Sequence, residues 1–251
     1  AHGFVSVDTE TTSTEPRCAD LVGISLAVEN AQAWYVPVGH VDSASNLEQS
    51  AVLEKLRPVL ENPEIGKIGQ NLKYDYQVFK GCGIRLLGIR FDTMVAAYLV
   101  EPGKRQYGMD ALAEKWLNIR TVPIEKLIGA GKKQKLFSEV PVAEAARYAG
   151  EDAVIPLRLK EVLHPMLEDR ELVELFEKIE MPLVPILGEM EFHGVSVDCE
   201  LLKRMSVEYT SRLEGISAGI FEIAGEGFNL NSPKQVAEIL FTKLALPKSK
   251  R

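Results

Sequence analysis

The sequence is poor in cysteine, because its 251 residues include only Cys18, Cys82 and Cys199, which are far apart and odd in number. Disulfide-rich secreted domains and structural zinc sites need several cysteines at short, regular spacings, so the sequence argues against both classes. Unpaired thiols are typical of a reducing compartment. We therefore predict a cytoplasmic protein, and an organellar location is left open.

Long apolar runs are also missing. No stretch approaches the roughly 20 apolar residues that a membrane-spanning helix needs, and residues 21–28 have only the length of a strand. The start of the chain has no basic segment followed by an apolar one, so we predict neither a membrane span nor a secretory signal. Because the first residue is Ala1 rather than methionine, we expect the chain to be part of a longer protein.

The third feature that the sequence lacks is an excess of basic residues. Lys and Arg number 29 against 36 Asp and Glu, which gives a formal net charge of −7. This balance argues against a strongly basic nucleic-acid-binding domain. It leaves room for a local site, because a short single strand needs only a limited basic path and stacking partners. Gly103–Arg105 and residues 131–135 are the local basic segments, and each is equally compatible with a solvated surface loop.

The secondary structure that the sequence predicts changes near residue 168. Residues 1–168 predict strands at 3–9, 21–28, 33–38, 65–69 and 86–91 and helices at 47–60, 71–80, 93–100, 108–117 and 142–163. Residues 169–251 predict helices, with Pro182 and Pro185 interrupting the first and Ser232 capping the last. We expect an α/β domain with a mixed sheet and flanking helices over 1–168, followed by a smaller helical segment over 169–251.

Three short polar motifs lie in the first of these domains: Asp8-Thr-Glu10, Asn71-Leu-Lys-Tyr-Asp75 and Tyr148-Ala-Gly-Glu-Asp152. Residues two apart on a strand share a face, so the two acids of the first motif point the same way. Residues four apart on a helix also share a face, which applies to the ends of the other two motifs. If the three elements converge, four carboxylates meet at one point.

Such a group of carboxylates is stable only when cations neutralise it. Hard oxygen ligands favour Mg²⁺ or Mn²⁺. Two such ions are the usual means of in-line displacement at phosphorus. The residues that would hold them, and that we predict to form a phosphodiester-cleaving site, are Asp8, Glu10, Asp75 and Asp152.

These motifs, in this order and at this spacing, resemble the 3′–5′ proofreading exonuclease domain of family A DNA polymerases, the bacterial DNA polymerase I type. The resemblance covers essentially the whole chain and includes flanking segments at Gly69–Asp75, Phe91–Met94, Met109–Leu117, Ile179–Pro185 and Phe228–Ser232. It implies a ribonuclease-H-like sheet for residues 1–168. For residues 169–251 it implies a helical connector and the start of the polymerase thumb.

The resemblance also implies roles for the site residues. Asp8 would bridge two ions, Glu10 and Asp152 would complete the tighter site, and Asp75 would hold the second ion through waters. A tyrosine hydroxyl has an ordinary pKa of about 10 and is a poor general base at neutral pH, so Tyr148 is expected to aim the attacking water. The implied partner is the 3′ end of single-stranded or frayed DNA. The implied product is a deoxynucleoside 5′-monophosphate, released by a monomeric, nucleoid-associated protein.

Four further residues are candidates for substrate contacts. Gln70 and Asn71 would hydrogen-bond the terminal nucleotide, and Tyr74 would stack on it or contact its sugar. Arg105 lies in the first basic segment. Asn71 is equally placed to cap the helix that begins there. Relatives have an apolar side chain shortly after the first motif, which wedges between the last two bases, and residues 11–14 are polar here.

Two other functions fit part of the sequence. The three motifs alone permit an exoribonuclease of the RNase D kind, although Ile179–Pro185 and Phe228–Ser232 favour the polymerase relative. A structural spacer with this fold would not need working ligands, whereas all four acids and Tyr148 are present. No palm segment is recognisable, so no polymerase activity is expected.

The remaining polar and aromatic candidates are given structural roles. Asp92 and Asp110 are expected to cap helices, and Trp34 and Trp116 to lie in the core. The histidines form no spaced cluster, and neither metal binding nor catalysis is assigned to His2, His40, His164 or His193.

Overall fold

The computed structural model describes residues 3–29, 32–131 and 134–247. In these residues one mixed sheet contains five strands in the order β3-β2-β1-β4-β5. β2 is antiparallel to both β1 and β3, and β4 is parallel to both β1 and β5. The predicted α/β class with a mixed sheet is confirmed. The strands are β1 Phe4–Thr11, β2 Leu21–Glu29, β3 Gln32–Pro37, β4 Gly66–Gly69 and β5 Ile89–Asp92.

β5 is shorter than the predicted strand at 86–91. Gly88 has a φ of 73°, in the left-handed region that an extended strand does not allow, so the strand begins only after it. Each helix predicted for this part of the chain is present to within a few residues, except that the fourth continues after Leu112 as a π-helical turn over Ala113–Leu117 and the last is longer. The short helix at Glu125–Ile128 was not predicted. The helices are α1 Gln49–Leu60, α2 Leu72–Gly81, α3 Thr93–Val100, α4 Met109–Leu112, α5 Glu125–Ile128 and α6 Val142–Asp169.

The prediction that Pro182 and Pro185 interrupt the next helix is wrong. The chain is helical through α7 Val173–Leu175, a π-helical turn at Phe176–Glu180 and α8 Met181–His193. Pro182 occupies the first turn of α8, where a missing backbone N–H costs little. Pro185 lies inside α8 without ending it.

Lys67 of β4 is a buried cation. Its Nζ donates to the carbonyl oxygens of Val59, Asn62 and Ile65, at 2.9, 2.7 and 2.8 Å. Burial and the positive charge of Arg90 lower the pKa of Lys67 to about 8, so the ammonium is still the main form at neutral pH. The ammonium therefore donates to carbonyls in the last turn of α1 and in the segment that follows it.

The chain divides into two compact units, Ala1–Gly194 and Val195–Arg251. The first unit extends past residue 168 because α8 packs on α2, where Tyr76 and Lys80 both donate to Glu189. The predicted domain boundary between residues 168 and 169 stays a prediction. No helix in the described part of the chain is long and apolar enough to cross a membrane.

The second unit consists of helices, as predicted for this part of the sequence. α9 spans Cys199–Ala224, α10 spans Pro233–Glu238, and a π-helical turn covers Ile239–Lys243. Ser232 caps α10 by accepting from the backbone N–H of Gln235, which confirms the predicted cap.

Candidate active site

Three of the predicted ligands lie together. One carboxylate oxygen from each of Asp8, Glu10 and Asp152 lies within 4.8 Å of the others. Asp8 and Glu10 come from the second half of β1, and Asp152 comes from α6, which packs against β1, β2 and β3. The expected convergence of the first and third motifs is therefore present in the structure.

Asp75 lies beside this group rather than in it. Its Oδ1 accepts from both the backbone N–H of Thr9, at 2.8 Å, and the Thr9 hydroxyl, at 2.7 Å. Thr9 can bind a side chain because β4 pairs with β1 only as far as Ser6, whereas β2 pairs along the rest of β1, so the later part of β1 has no strand partner on its β4 side. The expectation that all four acids meet at one point is thus corrected to a group of three with a fourth acid next to it.

The acids raise one another's affinity for protons. Burial raises the pKa of Asp8 to about 6, against a weak hydrogen bond from Ser25 at 3.5 Å. Burial, followed by the negative charges of Asp8, Asp152 and Asp75, raises the pKa of Glu10 well above its usual range. The pKa values of Asp75 and Asp152 are raised by burial first and by Asp8 second. A cation in this place would lower the free energy of all four ionised carboxylates.

Glu10 provides the test of whether a metal ion fits. Its side chain is buried, and its Oε1 has no hydrogen-bond partner among the described residues. A buried carboxylate oxygen without a donor is unfavourable unless a cation compensates it. Three convergent carboxylates form a donor set that suits a hard divalent cation. The residues present therefore fit Mg²⁺ or Mn²⁺.

Tyr148 is hydrogen-bonded to Asp152, one helical turn further along α6. Burial and the negative charges of Asp152, Glu10 and Asp8 raise the pKa of Tyr148 above its ordinary value. Its hydroxyl therefore stays protonated at neutral pH and serves as a hydrogen-bonding group rather than a base. The Tyr148 ring packs against Phe137, with 6.0 Å between centroids.

Asn71 begins α2 in the left-handed conformation, with φ 58° and ψ 44°. Its side chain makes no capping hydrogen bond, so the alternative that Asn71 caps this helix is wrong. Asp92 accepts instead from the backbone N–H groups of Asn71 and Leu72, at 3.1 and 2.7 Å. Asp92 also caps α3, as predicted. The Asn71 side chain is left on the wall of a cleft.

Asp110 does not cap α4. The N-cap residue of that helix is Gly108, and the Asp110 carboxylate accepts from the Thr121 hydroxyl at 2.6 Å. Trp34 is 47% exposed on the edge strand β3, so its predicted core position is also wrong. Trp116 is partly buried against the core, as expected.

The side chains of the other candidate substrate contacts, Gln70 and Tyr74, are hydrogen-bonded within the protein, whereas Arg105 is exposed. The Gln70 amide donates to the carbonyl of Tyr107 at 2.7 Å and accepts from the Thr93 hydroxyl. The Tyr74 hydroxyl donates to the carbonyl of Ser13 at 2.5 Å and also contacts Thr11, which ties α2 to the segment after β1. Arg105 is exposed in a loop. The roles of these residues stay predictions.

A cleft of about 740 Å³ opens beside the acids. Its polar lining comes from Thr9 to Thr14, Asn71, Tyr74 and Tyr148. The second predicted basic segment contributes Gln134 and Lys135, whereas Lys132 and Lys133 lie outside the described residues. Sequence analysis missed the apolar lining, because no motif links it to the acids; it consists of Ile124, Ile128, Leu136 and Phe137.

Comparison with known families gives two matches. Residues 1–168 match the family model described as 3'-5' exonuclease, and residues 199–251 match the one described as DNA polymerase family A. DNA polymerase I of Pseudomonas aeruginosa is 39% identical over 249 residues, which are 97% of this chain and 27% of that protein. The chain thus spans about a quarter of the length of this curated relative.

Two solved structures are similar in fold. The POL domain of Pol1 from M. smegmatis, in complex with DNA primer-template and dNTP, has a TM-score of 0.78 at 24% identity. That match covers 98% of this chain and 38% of that one. Brucella melitensis NrnC with bound Mg²⁺ has a TM-score of 0.60 at 18% identity and covers 78% of this chain and 90% of that one.

Proposed function

Because the chain belongs to the 3′–5′ exonuclease family of family A DNA polymerases, we propose that residues 1–168 remove nucleotides one at a time from the 3′ end of DNA. The observation that supports this reaction most directly is the group of Asp8, Glu10 and Asp152 with Tyr148 hydrogen-bonded to Asp152. The group lies beside a cleft, so a chain end has access to it.

The proposal includes two divalent ions, Mg²⁺ or Mn²⁺. Asp8, Glu10 and Asp152 would hold the first, and Asp8 with the remaining oxygen of Asp75 would hold the second. Bound ions would lower the pKa of the attacking water and offset the negative charge that develops on the phosphate. The buried oxygen of Glu10 without a partner supports this, as does the Mg²⁺ in the structure of the similarly folded NrnC.

Tyr148 would orient the attacking water through its hydroxyl. Its hydrogen bond to Asp152 holds the hydroxyl next to the ligand group, and its raised pKa keeps the proton in place. The proton of the water must therefore go elsewhere, either to solvent or to a carboxylate. Tyr148 would therefore contribute by positioning the water and not by removing its proton.

The substrate is proposed to be a single-stranded or frayed DNA 3′ end, and the product a deoxynucleoside 5′-monophosphate. Asn71 lines the cleft with a side chain that makes no helix-capping bond, so it is available to the terminal nucleotide. Tyr74 would support the substrate indirectly, because its hydroxyl holds the segment after β1 that lines the cleft. The alternative of an exoribonuclease is not favoured, because the similar curated proteins are DNA polymerases I.

We also propose a monomer that acts in the cytoplasm at the nucleoid. In the structure the cysteines at 18, 82 and 199 are free thiols, which agrees with a reducing compartment. Light scattering coupled to size-exclusion chromatography would test the monomer.

Digestion of 5′-labelled single-stranded DNA and RNA, with Mg²⁺ and with EDTA, tests the proposed reaction. We expect stepwise shortening of DNA from the 3′ end that EDTA stops. Asp8→Ala should abolish it, because Asp8 is proposed to bind both ions. Asp169→Ala, at the exposed end of α6, is the matched control and should leave the rate unchanged. Near-normal digestion by pure Asp8→Ala would refute the assignment, and faster digestion of RNA would refute the DNA substrate.

A further inference from the structure

We propose that His40 is a positioning residue for Tyr148 and acts on it through Phe137. The proposal rests on the proposed function, because it concerns the same site. His40 follows β3 in the chain and is only 4% exposed. Its side-chain hydrogen bonds and ring contacts are with Tyr35, Val140 and Phe137 rather than with the acids of the site, so its role would be indirect.

Both ring nitrogens of His40 have partners. Nδ1 lies 2.9 Å from the carbonyl oxygen of Val140, and Nε2 lies 2.7 Å from the hydroxyl of Tyr35. A carbonyl can only accept, so Nδ1 carries the hydrogen and Nε2 of the neutral ring accepts from Tyr35. Burial lowers the pKa of His40, against the Val140 carbonyl and the charge of Asp42, which favours this neutral form.

The backbone around His40 is fixed on both sides. Asn46 accepts from the His40 N–H at 2.9 Å and donates to the His40 carbonyl at 2.6 Å. The next residue, Val41, donates its N–H to the carbonyl of Ser138 at 2.9 Å. Two hydrogen bonds, from His40 and Val41, therefore attach the segment 138–140 to the turn that follows β3.

The attached segment leads directly into the helix of Tyr148. α6 begins at Val142, and the residue in its N-cap position, Pro141, makes no side-chain capping bond. The rings of His40 and Phe137 are 6.2 Å apart, and those of Phe137 and Tyr148 are 6.0 Å apart. The His40 ring thus packs beside Phe137, and its hydrogen bond to Val140 holds the segment that follows Phe137. Phe137 in turn packs against the ring whose hydroxyl is hydrogen-bonded to Asp152.

At the other end of this chain of rings, Tyr35 connects His40 to the sheet. The Tyr35 hydroxyl occupies the space that a Cβ on Gly23 would need, and Gly23 pairs with Glu10 in the β1–β2 ladder. Through Tyr35 of β3 and Gly23 of β2, His40 is therefore linked to the strand next to β1, which holds Asp8 and Glu10, and through Val140 it is linked to the start of the helix that holds Tyr148 and Asp152.

The two hydrogen bonds can be separated by substitution. In His40→Asn the side-chain amide occupies the place of Nδ1 and can still donate to Val140, whereas in His40→Gln it occupies the place of Nε2 and can reach only Tyr35. We expect His40→Gln to lower kcat on single-stranded DNA about tenfold, the effect of one lost hydrogen bond. KM for DNA and the Mg²⁺ concentration for half-maximal rate should stay within about twofold. His40→Asn should recover most of the rate.

A double-mutant cycle distinguishes positioning of Tyr148 from general support of the fold. In a Tyr148→Phe background, His40→Gln should lower kcat by less than about twofold, because the group that it positions is already absent. His193→Gln, at an exposed histidine on α8, is the matched control and should be neutral. If His40→Gln does not fold, Phe137→Leu replaces it, and it should give the same loss and the same absence of loss with Tyr148→Phe.

The outcomes are separable. A wild-type protein without exonuclease activity would refute the proposed function. With active wild type, an unchanged kcat in His40→Gln, or an equal loss in the Tyr148→Phe background, would overturn the role of His40 alone. Equal losses in His40→Asn and His40→Gln would also overturn it, because the bond to Val140 would then not matter.

Discussion

Thr9 donates both its backbone N–H and its hydroxyl to a single carboxylate oxygen of Asp75. Thr9 lies between Asp8 and Glu10 in the sequence, so this contact fixes α2 to the strand that holds the ligand group. One oxygen of Asp75 accepts both of these hydrogen bonds, and the other is the one that would bind the proposed second cation.

Thr9→Val removes the hydroxyl donor and keeps the shape and the backbone N–H. We expect the free energy of unfolding to fall by about 1–2 kcal/mol, because a buried acceptor loses one of two donors. The exonuclease rate should fall less than in Asp75→Ala. Denaturant unfolding and single-strand digestion would measure both. Thr210→Val, on the exposed part of α9, is the control for the change of side chain. Equal stability of the two variants would contradict the role of the Thr9 hydroxyl.

Tyr148→Phe removes only a hydroxyl. The acids that would bind metal remain, so Mg²⁺ binding should persist while kcat falls roughly 10- to 1000-fold, as for single positioning donors in other enzymes. Calorimetric titration with Mg²⁺ and single-turnover digestion would separate the two effects. An unchanged rate would mean that Tyr148 serves only to pack against Phe137.

As the pH rises, ionisation of Asp8 should destabilise the metal-free protein. The pKa of this acid is raised from 3.8 in the unfolded chain to about 6 in the fold, so the folded state binds more protons between these values. Its contribution to stability is fully present below pH 3.8 and is lost as the pH rises through about 6. Asp8→Asn keeps the neutral form, so its melting temperature in EDTA should exceed that of the wild type increasingly over this window.

Acids elsewhere, such as Glu61 and Glu101, have lowered pKa values, so they make the protein more stable as the pH rises. The pH dependence of the wild-type melting temperature alone therefore does not test the effect of Asp8. The difference between Asp8→Asn and wild type isolates position 8. Addition of Mg²⁺ should raise the melting temperature of the wild type more than that of the variant. A difference that shrinks between pH 4 and 6 would contradict the raised pKa of Asp8.

Lys67→Met fills the same space but removes the ammonium that donates to the carbonyls of Val59, Asn62 and Ile65. We expect a loss of about 3 kcal/mol in the free energy of unfolding, because three part-buried acceptors lose a charged donor at once. Lys55→Met, on the exposed side of α1, should change stability by less than about 0.5 kcal/mol. Similar stability of the two variants would show that water replaces the ammonium.

Paired DNA ends should be digested more slowly than single strands. A cleft that receives one strand requires three or four terminal pairs to melt, at a cost of about 1.4 kcal/mol per step. Mismatched ends should give intermediate rates. Parallel digestion of the same labelled strand, alone, mismatched and fully paired, would measure the order. Equal rates on paired and single-stranded ends would remove the proofreading interpretation and leave the nuclease chemistry.

The sequence predicted those features of the site that depend on local periodicity. The spacing of Asp8 and Glu10 requires a common face on any strand, and Asp92 has the side chain and position of an N-cap. In both cases the partner groups lie within a few residues, so no knowledge of the fold was needed. The α/β class followed from the order of the predicted strands and helices, and the ribonuclease-H-like sheet was implied by the family resemblance.

Features that depend on tertiary register were missed. Alternation places Thr9 on the opposite face from its neighbours, and nothing in the sequence shows that β4 ends early enough for Asp75 to reach it. His40 was given no role because its partner Val140 is 100 residues away. Trp34 was placed in the core on hydrophobicity, although the edge position of β3 leaves it exposed.

The early end of the β1–β4 ladder has a consequence for how activity is inferred across relatives. β4 ends at Gly69, where a Cβ would come within 2.9 Å of the Val7 carbonyl and 2.5 Å of Leu72. A side chain there would push the chain away from the point at which it leaves the sheet and turns into α2. A homologue could therefore keep every acid of the three motifs and still lose the site if a larger residue replaced this one glycine, which takes no part in the chemistry. Counting carboxylates in an alignment would score such a homologue as active, whereas including the residue equivalent to Gly69 would identify it.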